Sequence, residues 1–271
     1  MNEEMVLKTL QLTHLEKLYG YLPGMVDALP SIFGLDKDRY AELTEGFAVH
    51  ARQAAQELLD DDAFASAVDA LPFAPGQTVL AVGDSMTDDL QSWAEILRHV
   101  LELLRPDDGV RIVNGGLSAH TTAMVLRRWV PTVAQRPDWI ICFLGGNDVT
   151  RVGPEPTKSQ VSTAETVANL RELHRIAAAR ADASWVWITP APVHEERVAA
   201  FPPFRMGEST WRNDDIVALT EAMRDFPEPV VDLTTVFGVP AADDLQGPDG
   251  VHASLAGQQA VTRALVTRLV S

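Results

Sequence analysis

Thr78-Val79-Leu80-Ala81-Val82-Gly83-Asp84-Ser85-Met86-Thr87-Asp88-Asp89 joins an apolar, β-branched run to a glycine and then to a small polar cluster. The amphipathic segment Leu90 to Leu104 follows. The pattern predicts strand, tight turn, helix. Ser85 then stands at the carboxyl end of a strand, beside the free amides and positive dipole of a helix N-terminus. Such a serine serves either as a helix cap or as a nucleophile whose oxyanion already has donors waiting.

From Gln77 onward the alternation repeats. Strands are predicted at Thr78–Val82, Val110–Val113, Trp139–Leu144, Trp185–Thr189 and Pro229–Asp232. Helices are predicted near Asp88–Leu104, Thr121–Ala134, Thr157–Ala181, Ser209–Phe226 and Ser254–Val270. Near-continuous apolar strands separated by helices imply a mostly parallel five-stranded sheet covered on both faces. Right-handed crossovers make this a three-layer α/β/α sandwich of the flavodoxin-like kind. Ligands in that architecture sit beyond the carboxyl ends of the strands.

Residues 1–75 read instead as a helical extension. Leu7, Leu10, Leu15, Leu18 and Leu22 trace one stripe, ended by Pro23-Gly24; Tyr40 to Leu58 traces a second; Ala63–Leu71 a third. The extension is expected to pack on the main domain (76–271), to cap a pocket, or to form a homo-oligomer interface. His14 and His50 are single histidines on these patterns and are expected to be packing or surface residues.

The chain has 271 residues, 46% of them hydrophobic, enough for one full-sized core. A formal charge of −16 argues against nucleic acid and anionic membranes as partners. The single cysteine, Cys142, excludes an internal disulfide and lies in an apolar run, as a buried inert thiol would. No apolar run is long enough to span a bilayer. The acidic start Met1-Asn2-Glu3-Glu4 does not resemble a secretory signal, so a cytoplasmic protein is expected.

Three further polar clusters fall at predicted strand ends. Asn114-Gly115-Gly116-Leu117-Ser118-Ala119-His120-Thr121-Thr122 follows the second strand, Leu144-Gly145-Gly146-Asn147-Asp148 the third. Gly247-Pro248-Asp249-Gly250-Val251-His252-Ala253-Ser254 precedes the last helix. The Asn147 amide can donate to an oxyanion. The three-residue offset lets Asp249 accept from His252 Nδ1, leaving Nε2 free as a base. Each cluster alone is equally good turn or capping chemistry; together they hold every role for acyl transfer through a serine.

Over residues 77–271 the sequence resembles the SGNH (GDSL-type) hydrolase family. Gly83-Asp84-Ser85 matches its first block, Asn114 to Thr122 its second, Gly146-Asn147-Asp148 its third, and Asp249/His252 its last. The resemblance implies Ser85 as nucleophile, with His252 and Asp249 completing the triad. It implies an oxyanion hole from the Ser85 and Gly116 amides and the Asn147 side chain. It also implies a carboxylic ester of a small molecule or sugar, of acetyl or short acyl type, as substrate, and no cofactor or metal. Acyl transfer to an alcohol through the same acyl-enzyme is the alternative. Two positions depart from the pattern: Asp88-Asp89 and Ala119 stand where the family often has glycine. Asp84, Asp148, Arg151, Phe204 and Trp211, the last two in the long connection Pro190–Trp211, are expected to contact substrate.

Other readings fit less of the chain. Gly-Asp-Ser-x-x-Asp-Asp also resembles the magnesium-binding motif of haloacid-dehalogenase-type phosphatases. The upstream Asp-x-Asp-x-Thr/Val they need has only Asp36-Lys37-Asp38-Arg39 to answer it. The Gly-x-Ser-x-Gly elbow of α/β-hydrolases is absent. His194-Glu195-Glu196 lacks a second histidine at zinc-ligand spacing. A binding protein on this fold would leave the four clusters without roles.

Overall fold

The computed structural model describes residues 3–271; Met1 and Asn2, which open the expected extension, lie outside the described residues. Five strands form the central sheet: β1 (Thr78–Gly83), β2 (Arg111–Asn114), β3 (Trp139–Phe143), β5 (Ser184–Ile188) and β7 (Val230–Val231). They run in the order β2-β1-β3-β5-β7, and every pair is parallel. The near-continuous apolar runs resolve into alternating faces, because successive strand side chains point opposite ways. Val79, Ala81, Ile141, Phe143, Val186 and Ile188 face one core. Leu80, Val82, Ile140, Cys142, Trp185 and Trp187 face the other.

The second face is covered by α8 (Thr122–Val133), α9 (Thr163–Ala178) and α12 (Asn213–Arg224), through Trp129, Leu173 and Leu219 among others. The first is covered by α7 (Trp93–Leu104), the short α13 (Leu233–Phe237) and α14 (Leu255–Val270). Onto these pack α4 (Lys37–Leu59) and α5 (Asp62–Asp69), whose Ala51, Ala54, Leu58, Phe64 and Val68 join Leu97 and Val261 in one continuous cluster. Strand order turns between β1 and β3, so a crevice opens beyond their carboxyl ends.

Several helices differ from expectation, each for a local reason. The predicted Asp88–Leu104 helix is two: α6 (Ser85–Asp88) and α7. Between them Asp89 accepts from the Gln91 amide at 2.7 Å, and Ser92 restarts the helix as its cap. The α9 helix starts six residues late, at Thr163, where Ser162 caps it. The first leucine stripe breaks at Thr13–His14 into α1 (Glu3–Leu12) and α2 (Leu15–Tyr19). A further helix, α3 (Met25–Ile32), follows Gly24, whose left-handed φ of 78° suits glycine.

Pro190–Trp211, expected as open connection, holds α10 (Glu195–Ala200), α11 (Pro202–Met206) and β6 (Ser209–Thr210). The last of these pairs antiparallel with β4 (Arg151–Val152). Asp36 is the N-cap of α4, accepting from the Arg39 amide at 2.8 Å, which gives it a structural task. Cys142 is buried. Among the described residues no helix is long and apolar enough to cross a membrane.

Candidate active site

Gly83 ends β1 because nothing larger fits: a Cβ there would stand 2.0 Å from Thr87 Oγ1 and 2.9 Å from the Phe143 carbonyl. The chain turns at once into α6. Asp84 is its cap, accepting from the Met86 amide at 3.0 Å, and Ser85 is its first residue. The cap is therefore the aspartate, which leaves the serine hydroxyl for other work. Among the described residues the Ser85 amide meets no acceptor, as expected for a first-turn N–H.

The last cluster closes on it from 167 residues away. His252 Nε2 lies 2.9 Å from Ser85 Oγ, and His252 Nδ1 lies 2.7 Å from Asp249 Oδ2. Asp249 Oδ1 accepts from the amides of Val251 and His252, both at 2.9 Å, so the carboxylate is fixed by its own turn. Ser254 caps α14. One turn on, Gln258 donates to the Met86 carbonyl at 3.1 Å and accepts from the Trp93 amide at 2.9 Å. That clamp holds the histidine-bearing loop against the serine turn. Gln258 was not singled out in the sequence, although a glutamine on the same face as Val261 and Leu265 is a readable signal.

Electrostatics separate the carboxylates. Burial would raise Asp249, but the charge and hydrogen bond of His252, joined by Lys8, hold it well below the ordinary carboxylate range. Among the described residues Asp84 forms no ion pair. Burial, only partly offset by the Met86 amide and His252, pushes it from 3.8 to about 6.

Ser85 and Asn147 lie on one crevice of about 400 Å³, open solvent at its mouth included, with Met86, Phe143, Val193, Trp211 and Ile216 as apolar walls. Asp84 also lines it. Trp211 is fixed there by its indole N–H, which donates to the Gly146 carbonyl at 2.9 Å. Asn147 Nδ2 donates to the His120 carbonyl at 3.3 Å, leaving its second hydrogen unspent.

Four expected contacts lie elsewhere. Asp148 is fully buried and accepts from Thr122 Oγ1 (2.5 Å), the Thr122 amide (2.9 Å) and Thr166 Oγ1 (3.1 Å). It ties the end of β3 to α8 and α9 rather than meeting a ligand. Arg151 is held by Asp215 in a bidentate pair at 2.7 and 2.9 Å, outside the crevice lining. Phe204 packs behind Trp211, ring centroids 4.8 Å apart. The Gly116 amide donates to Asn114 Oδ1 at 3.0 Å, and its α-carbon is pressed against the backbone of Thr87 and Asp88. Gly116 is thus spent on the local turn. In the same segment Ala119 adopts a left-handed conformation, φ 63°. Among the described residues its amide has no acceptor, and its neighbour His120 is the residue that touches Asn147.

The acidic pair after the serine is engaged by protein groups. Asp88 Oδ1 meets His14 Nδ1 at 2.8 Å and Lys17 Nζ at 2.6 Å, and Asp88 Oδ2 accepts from the Ser118 amide at 2.9 Å. Asp89 accepts from Gln11 Nε2 at 2.9 and 3.0 Å. Neither carboxylate points into the crevice.

The family model of the GDSL-like Lipase/Acylhydrolase family matches residues 81–260. The acetylxylan esterase of Geobacillus stearothermophilus is 34% identical over 115 residues, 36% of this chain and 52% of that protein; the chain thus spans about half the length of this curated relative. The crystal structure of an acetylxylan esterase from that organism superimposes with a TM-score of 0.54 at 22% identity, covering 72% of this chain and 95% of the other. An α/β hydrolase from the metagenome of Lake Arreo, Spain, gives a TM-score of 0.55 at 22% identity, covering 73% and 98%. Solved catalytic mutants of the Geobacillus esterase replace a serine, an aspartate, and a histidine three positions after that aspartate.

Proposed function

The chain belongs to the GDSL-like lipase/acylhydrolase family, and we propose that it cleaves carboxylic esters through an acyl-enzyme on Ser85. The observation that carries the proposal is the relay Ser85 Oγ, His252 Nε2, His252 Nδ1, Asp249 Oδ2, with steps of 2.9 and 2.7 Å. His252 takes the Ser85 proton as the oxygen attacks the ester carbonyl. The anionic Asp249 fixes the ring's orientation and stabilises the imidazolium. His252 then gives its proton to the departing alcohol, and water, activated by the same nitrogen, releases the acid.

Three donors are assigned to the tetrahedral oxyanion: the Ser85 amide, the Asn147 side chain and the Ala119 amide. Ala119 takes the role expected of Gly116, because only amides without an internal acceptor are available to a ligand. The acyl side of the substrate is assigned to the short apolar crevice walled by Met86, Trp211 and Ile216, which suits acetyl and other short groups. The acetylxylan esterase among the relatives supports an acetylated sugar or similar polyol on the open side.

A chromogenic ester series from acetyl to long acyl chains, run on the wild type and Ser85→Ala, tests this. Turnover should be greatest for the shortest chains and absent in the variant. A fluorophosphonate should label the wild type alone. Undiminished hydrolysis by Ser85→Ala would remove the serine from the reaction.

A further inference from the structure

Helices α1 and α2 lie across the segments that carry the proposed chemistry. Besides the contacts of Gln11, His14 and Lys17 with Asp88 and Asp89, the Gln11 carbonyl accepts from the Leu90 amide at 3.1 Å. Ser118 Oγ donates to the Leu12 carbonyl, and Lys17 Nζ donates to the Gly116 carbonyl at 3.2 Å. One contact reaches the relay itself. Lys8 Nζ pairs with Asp249 Oδ2, the same oxygen that meets His252 Nδ1. The Lys8 ammonium also lies over the Phe201 ring, 4.8 Å from its centroid, a second contact on the head group.

We propose that Lys8, supplied by the N-terminal helix, is a positioning residue of the active site that acts on His252 through the shared oxygen of Asp249. The proposal rests on the hydrolase reading of Ser85, His252 and Asp249. The ammonium locks the carboxylate and keeps it ionised. The locked carboxylate in turn holds the imidazole by Nδ1 at 2.7 Å, with Nε2 2.9 Å from Ser85 Oγ, the orientation that proton transfer from the serine needs.

The test uses the full chain with Lys8→Met and Lys8→Arg. On a short ester, kcat, KM and the rate of Ser85 labelling by a fluorophosphonate are measured beside the melting temperature. In Lys8→Met, kcat and the labelling rate should fall by up to roughly 100-fold with KM little changed; Lys8→Arg should recover most of the loss. A variant that melts earlier but keeps the wild-type kcat and labelling rate would reduce Lys8 to a packing contact and overturn the proposal, as would failure of Lys8→Arg to recover activity. Wild-type protein that neither turns over ester nor takes the label would instead overturn the hydrolase reading on which the proposal rests. Should Lys8→Met not fold, Lys8→Gln carries the same expectation.

Discussion

Asp84 sits buried beside the proposed nucleophile and among the described residues forms no ion pair, so its charge works against the fold at neutral pH. Its carboxyl is raised from 3.8 to about 6 by burial. The native state thus holds the proton more tightly than the unfolded chain, and stability must fall as pH rises from about 4 to about 6. A difference of 2.2 units, 6 minus 3.8, at 1.36 kcal/mol per unit amounts to about 3 kcal/mol of lost stability above that window. Asp84→Asn removes the charge and keeps the shape; the amide oxygen can still accept from the Met86 amide, now at 3.0 Å from the carboxylate. The variant should be more stable than wild type at pH 8 by up to about 3 kcal/mol, a rise in Tm on the order of 5–10 °C. Below about pH 4, where Asp84 is protonated in both states, the advantage should vanish. Calorimetric melting of both proteins from pH 4 to 8 measures the gap. A gap that is constant with pH, or that widens on acidification, would show that Asp84 is not the strained carboxylate described. Asp249 has the opposite sign: its carboxyl is held below the ordinary range, so its contribution is present above about pH 4 and lost on acidification below it.

Asn147→Ala should cost roughly 10²–10³ in turnover of a short ester with the fold intact, since it deletes one oxyanion donor; wild-type turnover would remove Asn147 from the hole. Gly116→Ala should destabilise the protein by about 1–3 kcal/mol, because the new methyl would meet the Asp88 nitrogen at 2.4 Å. Ala119→Gly, which leaves the amide and relieves a left-handed non-glycine backbone, should keep activity. Both are read by melting temperature and ester assay, and the reverse pattern would return the donor role to Gly116.

Much of the site was legible because its parts are local. Gly83 to Met86 is strand, turn and helix within a few residues, and Asp249 with His252 is one turn. Both segments follow from periodicity and side-chain chemistry, and the sheet order then brings them together. The expectation for Gly116 meets a detail that is also local. An asparagine side chain two residues before an amide commonly claims it, and Asn114 does so here. Asp148 was illegible for another reason. What it binds depends on Thr122 and Thr166, which only the packed helices α8 and α9 bring to it. Lys8 is the extreme case, 241 residues from its partner, on a helix whose amphipathic pattern says only that one face is buried.

The acidic pair Asp88-Asp89 looks like a flaw when the hydrolase segment is read alone, since two carboxylates replace residues that are often glycine and both end up buried. The N-terminal helices supply the reason. His14 and Lys17 overcome the burial penalty on Asp88 and hold its carboxyl below the ordinary range. Among the described residues Asp89 accepts hydrogen bonds from the neutral Gln91 amide and Gln11 side chain, and burial, partly offset by these and by the more distant His252 and His14, pushes it to about 6. Glycine at those two positions would leave a histidine and a lysine facing nothing, and loss of residues 3–19 would leave an unpaired buried carboxylate, which is costly. The departure and the extension therefore answer each other. An acidic pair where a family often has glycine marked, in the sequence itself, where the added helices dock.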